Sequence, residues 1–284
     1  MQRFSNLLSN LILTSSRKRK LNLLKSYFSS TPDPDRGYAL AALTGDLRFR
    51  LIKSKFFKDL IKEKTDPFLF DLSYDYVGDL AETVALLWEP KFQGNMVSIS
   101  KIYNKVSAAK KDSLSPIIIS ILDCSTNDQR WALIKLFTGG LRIGVSNRLT
   151  KQALAEYGNV ELEEVEKIWH GLAHPYLSLF SWLEKSGPKP KIDHQNIFHP
   201  MMLANPINIE KDFQNLAPES YLAEFKWDGV RVQLVTNGNN NNLYSRTGDN
   251  ISKSFPDLLE NISGNFVFDG ELLSGKKNKP SSFN

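Results

Sequence analysis

From Met1 to about Glu184, apolar residues recur every three or four positions, the spacing that lines one face of an α-helix. Phe4, Leu7, Leu8 and Leu11 mark a first helix, and Leu21, Leu24 and Phe28 a second. PFLFDLSYDYVGDLAETVALLW (67–88) reads as one or two buried helices. NDQRWALIKLF opens on polar capping residues and then puts Trp131, Ile134 and Phe137 on one side. SNRLTKQALAEYG and VELEEVEKIWHGL continue the pattern, and Trp131, Trp169 and Trp182 fall at core positions. STPDPDRG is a proline-containing loop, since helical spacing resumes on both sides of it.

The texture changes after GPKPKID (187–193), where two prolines interrupt helix and mark a linker. VRVQLV and NLYSR alternate as strands do, and TNGNNN between them carries an Asn-Gly hairpin signal. FPDLLENI reads as a short helix and NFVFDGELL as a further strand. These patterns predict an α+β chain of more than one domain: an all-α region over 1–186, a linker over 187–193, and a mainly antiparallel β-sheet region over 194–284.

Within YLAEFKWDGVRVQLV (221–235) the alternation breaks. Ala223, Phe225 and Trp227 share one parity, whereas Val230, Val232 and Leu234 share the other. Because one slip moves an apolar set to the opposite face, Asp228-Gly229 is expected to be a turn, with Lys226 at the end of the preceding strand.

Charge sharpens the division. The net charge is +5, and residues 1–185 hold 26 basic and 20 acidic side chains against 10 and 11 in the remainder. The whole basic surplus therefore lies in the helical region, where it would attract a polyanion or simply form a solvated surface. Cys124 is the single cysteine, so no intramolecular disulfide and no cysteine metal cluster can form. No apolar run is long enough to span a bilayer, and the apolar N-terminal stretch is followed by basic residues, the reverse of a secretory signal. It reads as the first helix of a cytoplasmic protein.

Three polar constellations sit on the strands of the second region: EFKWDGVR, SRTG and DGE. A lysine at a strand end beside a second cation, Arg231, suits a nucleophilic amine. The hairpin would bring Arg246 alongside the first strand, where a guanidinium can grip ribose or phosphate oxygens. Asp269 and Glu271 share a parity on the third strand, so both carboxylates face one side and can hold a ribose hydroxyl or the magnesium that accompanies a nucleotide.

EFKWDGVR resembles motif I of the ATP-dependent DNA ligases and their nucleotidyltransferase relatives; SRTG resembles the arginine motif that follows, and FVFDGELL motif III. FHPMMLANPI resembles the segment that opens the adenylation domain. RKRKLNLLKSYFSSTPDPDRGYALAALTGDLRF, DYVGDLAETVALLW and GGLRIGVSNRLTKQALA are similar to the helical DNA-binding domain of bacterial ligases of the LigC-like or LigB-like kind. The resemblance implies a nick-sealing enzyme of the nucleoid-bearing bacterial cytoplasm, using ATP and Mg2+ in DNA repair, replication and recombination. Lys226 would carry AMP, Glu224 would contact adenine, Arg231 and Arg246 the sugar and phosphates, and Glu271 the ribose or metal. In GGLRIGVSNR, Gly140 and Gly144, with Gly139, would allow close backbone approach to nicked duplex while Arg142 and Arg148 neutralise phosphates; read without the resemblance, that loop is an ordinary helix connection. A monomer with a helicase or nuclease partner is expected.

The sequence stops at KKNKPSSFN, before the family's later motifs and OB-fold, so a C-terminally truncated ligase that binds DNA better than it joins it is expected. A non-catalytic DNA-binding fragment is an alternative, as is an RNA ligase or capping nucleotidyltransferase, although neither of those enzymes normally carries such a helical region. His170 and His174 in HGLAH have the spacing of a zinc pair on a helix but lack the adjacent glutamate and a third ligand, and a surface or capping role is expected.

Overall fold

A computed structural model describes residues 1–49, 51–90, 98–139, 141–192, 197–202, 204–222, 224–238, 240–276 and 279–281. The chain divides into two compact units: Met1–Val165 with Leu172–Pro190, and Glu166–Gly171 with Lys191–Asn284. Twelve α-helices precede the sheet among the described residues: α1 (Gln2–Ile12), α2 (Arg17–Ser30), α3 (Asp35–Thr44), α4 (Ser54–Lys62), α5 (Pro67–Val77), α6 (Leu80–Leu87), α7 (Ile99–Ser107), α8 (Lys111–Asp123), α9 (Asn127–Thr138), α10 (Asn147–Gly158), α11 (Leu162–Trp169) and α12 (Leu177–Leu183). No helix among the described residues is long and apolar enough to cross a membrane.

Side-chain caps set several helix starts. Ser16, Asp66, Asp79, Ser98 and Ser146 each accept a backbone N–H from the first turn of α2, α5, α6, α7 and α10, and Thr126 with Gln129 forms a capping box on α9. All four periodic residues of α1 are buried, as are Leu21, Leu24 and Phe28 of α2. The 67–88 stretch forms two helices, because Gly78 ends α5 in the left-handed conformation and Asp79 starts α6. The expectation that both are buried fails for α5. Only Phe70 is enclosed there, while Phe68, Leu69, Leu72 and Tyr76 are exposed. Apolar residues run all round α5, so its composition reveals no buried face. Of the three tryptophans read as core, Trp169 is buried, and Trp131 and Trp182 are half-buried under Lys135 and Lys189.

Arg36 knots the first unit together. Its guanidinium donates to Asp33 at 2.8 and 2.7 Å, to Glu184 and to the Phe28 carbonyl, and it lies 4.2 Å from the centroid of the Phe180 ring. That bond from Arg36 holds the Glu184 carboxyl below the usual carboxylate range, and Lys25 does the same for Glu156. At Asp79 burial pushes upward, but the bond from Lys135 and the Glu82 N–H outweigh it and the carboxyl is again lowered. Groups whose folded pKa lies below the unfolded value contribute stability above the ordinary carboxylate range and lose it as pH falls through the folded value. Denaturant midpoints are therefore expected to stay level from pH 7 to about 5 and to fall below about pH 4.3. A midpoint that is flat or rising down to pH 3 would contradict these assignments.

The second unit is built on a three-stranded antiparallel sheet of order β2-β1-β3, with β1 (Val230–Gly238) in the centre, β2 (Asn240–Ser245) and β3 (Gly264–Leu272) at its sides. A short helix, α13 (Pro256–Leu259), precedes β3, and β4 (Gly275–Lys276) pairs with β5 (Lys279–Pro280) in a separate ribbon. The architecture is thus α+β. The expected hairpin forms with its turn one residue later than the Asn-Gly signal: Asn237 pairs with Asn240, and Gly238, at φ +63°, takes the first loop position.

Candidate functional site

Register brings the polar residues of β1 and β3 together. Arg231 stands opposite Glu271 and Gln233 opposite Asp269, so all four project from one face of the sheet. Val232, Leu234, Leu243 and Phe268 belong to the other face. Asp269 is held from two sides, by Gln233 Nε2 at 2.9 Å and by Arg231 at 3.7 Å. Arg231 also lies 3.5 Å from the Met202 carbonyl. Glu271 is half-buried, and its side chain has no hydrogen bond or ion pair among the described residues.

Sequence reasoning passed over Gln233. It is almost fully buried, accepts the His199 N–H at 2.6 Å and donates to the His199 carbonyl at 3.0 Å. The FHPMM segment thereby docks on the same polar face, with Phe198 edge-on to Tyr244, the residue opposite Gln233 on β2. A polar residue inside VRVQLV, where the neighbouring positions are apolar, was the available signal, because a buried amide must be partnered.

The placement of Lys226 corrects the sequence reading. No strand forms over 221–228 among the described residues, and Lys226, Glu224, Phe225 and Trp227 are exposed, with Ala223 outside the described residues. Period-two spacing becomes a strand only where a ladder pairs with it, and among the described residues no strand pairs with this run. Lys226 instead precedes β1 in irregular chain, with the expected bend at Gly229. That glycine is needed for close approach: a Cβ there would lie 2.5 Å from the Leu272 carbonyl oxygen and 3.2 Å from Glu271 Cγ. The chain leaving Lys226 is thus pressed against the end of β3 that carries Glu271. Arg246 lies exposed in the turn after β2, just beyond the Val232–Ser245 pair. Glu224 and Arg246 are not brought into contact with the Arg231–Glu271 row.

In the first unit, Gly139 caps α9 at φ +69°, Gly144 has φ +66°, and Gly140 lies outside the described residues. Lys20 donates to the Gly144 carbonyl at 2.7 Å. Arg17, Arg142 and Arg148 border an open cleft of about 520 Å³ along 141–149. Arg142 and Arg148 are exposed there, beside the start of α10. The first turn of α2 holds basic residues and no acidic one, at the helix end whose dipole disfavours cations by about 0.3–1 kcal/mol each.

Residues 1–155 match the family described as DNA ligase N terminus, and residues 201–284 match the ATP dependent DNA ligase domain. The chain belongs to the ATP-dependent DNA ligase family. It is 30% identical over 177 residues to a probable DNA ligase of Koribacter versatilis, an alignment covering 60% of this chain and 30% of that protein. A DNA ligase of Thermococcus onnurineus is 25% identical over 227 residues, covering 72% of this chain and 40% of its own length. DNA ligase 1 of Korarchaeum cryptofilum is 24% identical over 323 aligned positions, covering all of this chain and 55% of its own. The chain spans about a third to a half of these ligases.

HGLAH is not helical, since α11 ends at Trp169; His170 packs on Phe198 at 4.6 Å, while His174 packs on Tyr103 and Tyr38. No group of three or more potential metal ligands occurs among the described residues. Magnesium travelling with a nucleotide needs only one or two protein carboxylates, the remaining positions being water and phosphate oxygens. Glu271, with Asp269 on the same face, fits that requirement.

Proposed function

We propose that this chain carries the DNA-gripping and lysine-adenylylation parts of an ATP-dependent, nick-sealing ligase. The observation that carries this reading is the Lys226-x-Asp-Gly-x-Arg run leading into the central strand of a ligase-family domain, with Arg231 opposite Glu271 in the ladder. Lys226 Nζ attacks the α-phosphorus of ATP, a P–N bond forms, and the bond to pyrophosphate breaks. AMP then passes to the 5′-phosphate at a nick, and the 3′-hydroxyl displaces it. Glu224 contacts adenine, and Arg231 and Arg246 hold sugar and phosphates. Glu271 would hold Mg2+, which supplies charge neutralisation on the phosphates. Positioning and neutralisation are the main contributions a protein makes to this class of transfer.

Domain roles follow as part of the same reading: 1–186 as the DNA-binding domain, 187–193 as linker and 194–284 as the adenylation region. The subtype is read as the bacterial LigC-like or LigB-like kind, on the resemblance of the helical-region motifs. The chain is read as a cytoplasmic, nucleoid-associated monomer that cooperates with a repair helicase or nuclease. Incubation with ATP labelled at the α- or the γ-phosphate tests the covalent step. Label from the α position alone is expected to stay on the protein; retention of γ label would point to phosphorylation and sink the reading.

For the helical unit, cations crowded at the start of α2 and around the 141–149 cleft support phosphate contacts by Arg142, Arg148, Gly140 and Gly144. Arg142→Ala and Arg148→Ala should each weaken binding to nicked duplex of any sequence and lower the salt slope by about 0.9. Slopes unchanged in both variants would remove these arginines from the interface.

A further inference from the structure

We propose that Gln233 is a positioning residue of the adenylylation site, its amide fixing Asp269 and the His199 backbone and, through Asp269 and the docked segment, the Arg231 guanidinium beside the chain that carries Lys226. The proposal rests on the reading of Lys226 as the adenylylated residue. Three contacts occupy the amide. Oε1 accepts the His199 N–H at 2.6 Å, and Nε2 donates to the His199 carbonyl at 3.0 Å and to Asp269 Oδ1 at 2.9 Å. Reaching both backbone groups of one residue, the side chain does the work of an absent strand and holds the FHPMM segment on the sheet.

The same segment offers the Met202 carbonyl to Arg231, and Asp269 offers Oδ2 to Arg231 at 3.7 Å. Arg231 is thus confined by two groups that both depend on the Gln233 amide. Neither contact is short, and both the Arg231 and Asp269 side chains remain partly in water, so the pair by itself holds little geometry. The buried amide is the rigid member of the set. Arg231 stands opposite Glu271 in the ladder, and Gly229, three positions after Lys226, is pressed against Glu271.

Two substitutions separate positioning from bulk. Gln233→Met keeps length and removes every hydrogen bond; Gln233→Glu keeps shape, loses the donors and puts a carboxylate against Asp269. Gln233→Glu keeps only the acceptor for the His199 N–H, so both variants release Asp269 and with it the hold on Arg231.

The experiment measures AMP uptake from ATP and Mg2+ by wild type and both variants over a range of ATP concentrations, with thermal unfolding run on all three proteins. Gln233→Met is expected to be slower by about 10- to 100-fold at saturating ATP, with the half-saturating ATP concentration changed by less than about 3-fold. Gln233→Glu is expected to show the same split. A folded variant as fast as wild type at saturating ATP, or a defect confined to the half-saturating concentration, overturns the positioning role while leaving Lys226 in place. Should Gln233→Met fail to fold, Gln233→Glu alone decides. Wild type that takes up no AMP overturns the Lys226 reading and this proposal with it.

Discussion

Lys226→Ala is expected to lower covalent AMP uptake by about 10³-fold or more, because no other group takes over the role of a removed nucleophile. Lys226→Arg should be equally inactive. A guanidinium keeps the positive charge but does not give up its proton, so it can bind phosphate without attacking it. The pair therefore separates a nucleophile from an electrostatic contact: partial activity in the arginine variant would assign Lys226 to charge neutralisation. Both variants should bind nicked duplex as wild type does, since the basic cleft along 141–149 lies in the other unit. Glu224 and Arg246, which the structure leaves apart from the Arg231–Glu271 row, are expected to have smaller effects on uptake.

Arg36→Met should produce the largest loss of stability. The Arg36 side chain is 8% exposed and serves Asp33, Glu184 and the end of α2 while lying over Phe180. Methionine fills much of the volume but leaves two carboxylates facing one another without their cation. Breaking a buried pair costs about 3–5 kcal/mol, and the lower end applies because Asp33 and Glu184 each keep about a third of their surface in water. A loss of about 3 kcal/mol corresponds to about 6–12 °C in the thermal midpoint of a unit of this size. Arg36→Lys should recover less than half of it, since one ammonium cannot match a planar fork bonded on several sides. A midpoint within 2 °C of wild type, read by calorimetry on the Met variant, would show that the knot contributes little, the threshold being about 1 kcal/mol or less.

The helices were legible because their information is local. Phe4, Leu7, Leu8 and Leu11 bury one face whatever packs against them, and Asp79 or Ser146 caps its own helix within three residues. The same holds for the parity that puts Asp269 and Glu271 on one face of β3. What escaped was non-local. Whether EFKW becomes a strand depends on another strand pairing with it, which no residue in that run encodes. The exposure of α5 depends on what covers it, and its apolar residues point in every direction. Gln233 was missed for the opposite reason. It sits in a strand pattern that it only slightly disturbs, and its partners, His199 and Asp269, are 34 and 36 residues away.

Peptide mapping of the protein after exposure to ATP and Mg2+ tests the central claim most directly. One AMP is expected on the peptide that contains Lys226, stable to base, lost in acid as a phosphoramidate should be, and removed when pyrophosphate is added back. An AMP found on any other residue, or no adduct under conditions where ATP is bound, would contradict the account.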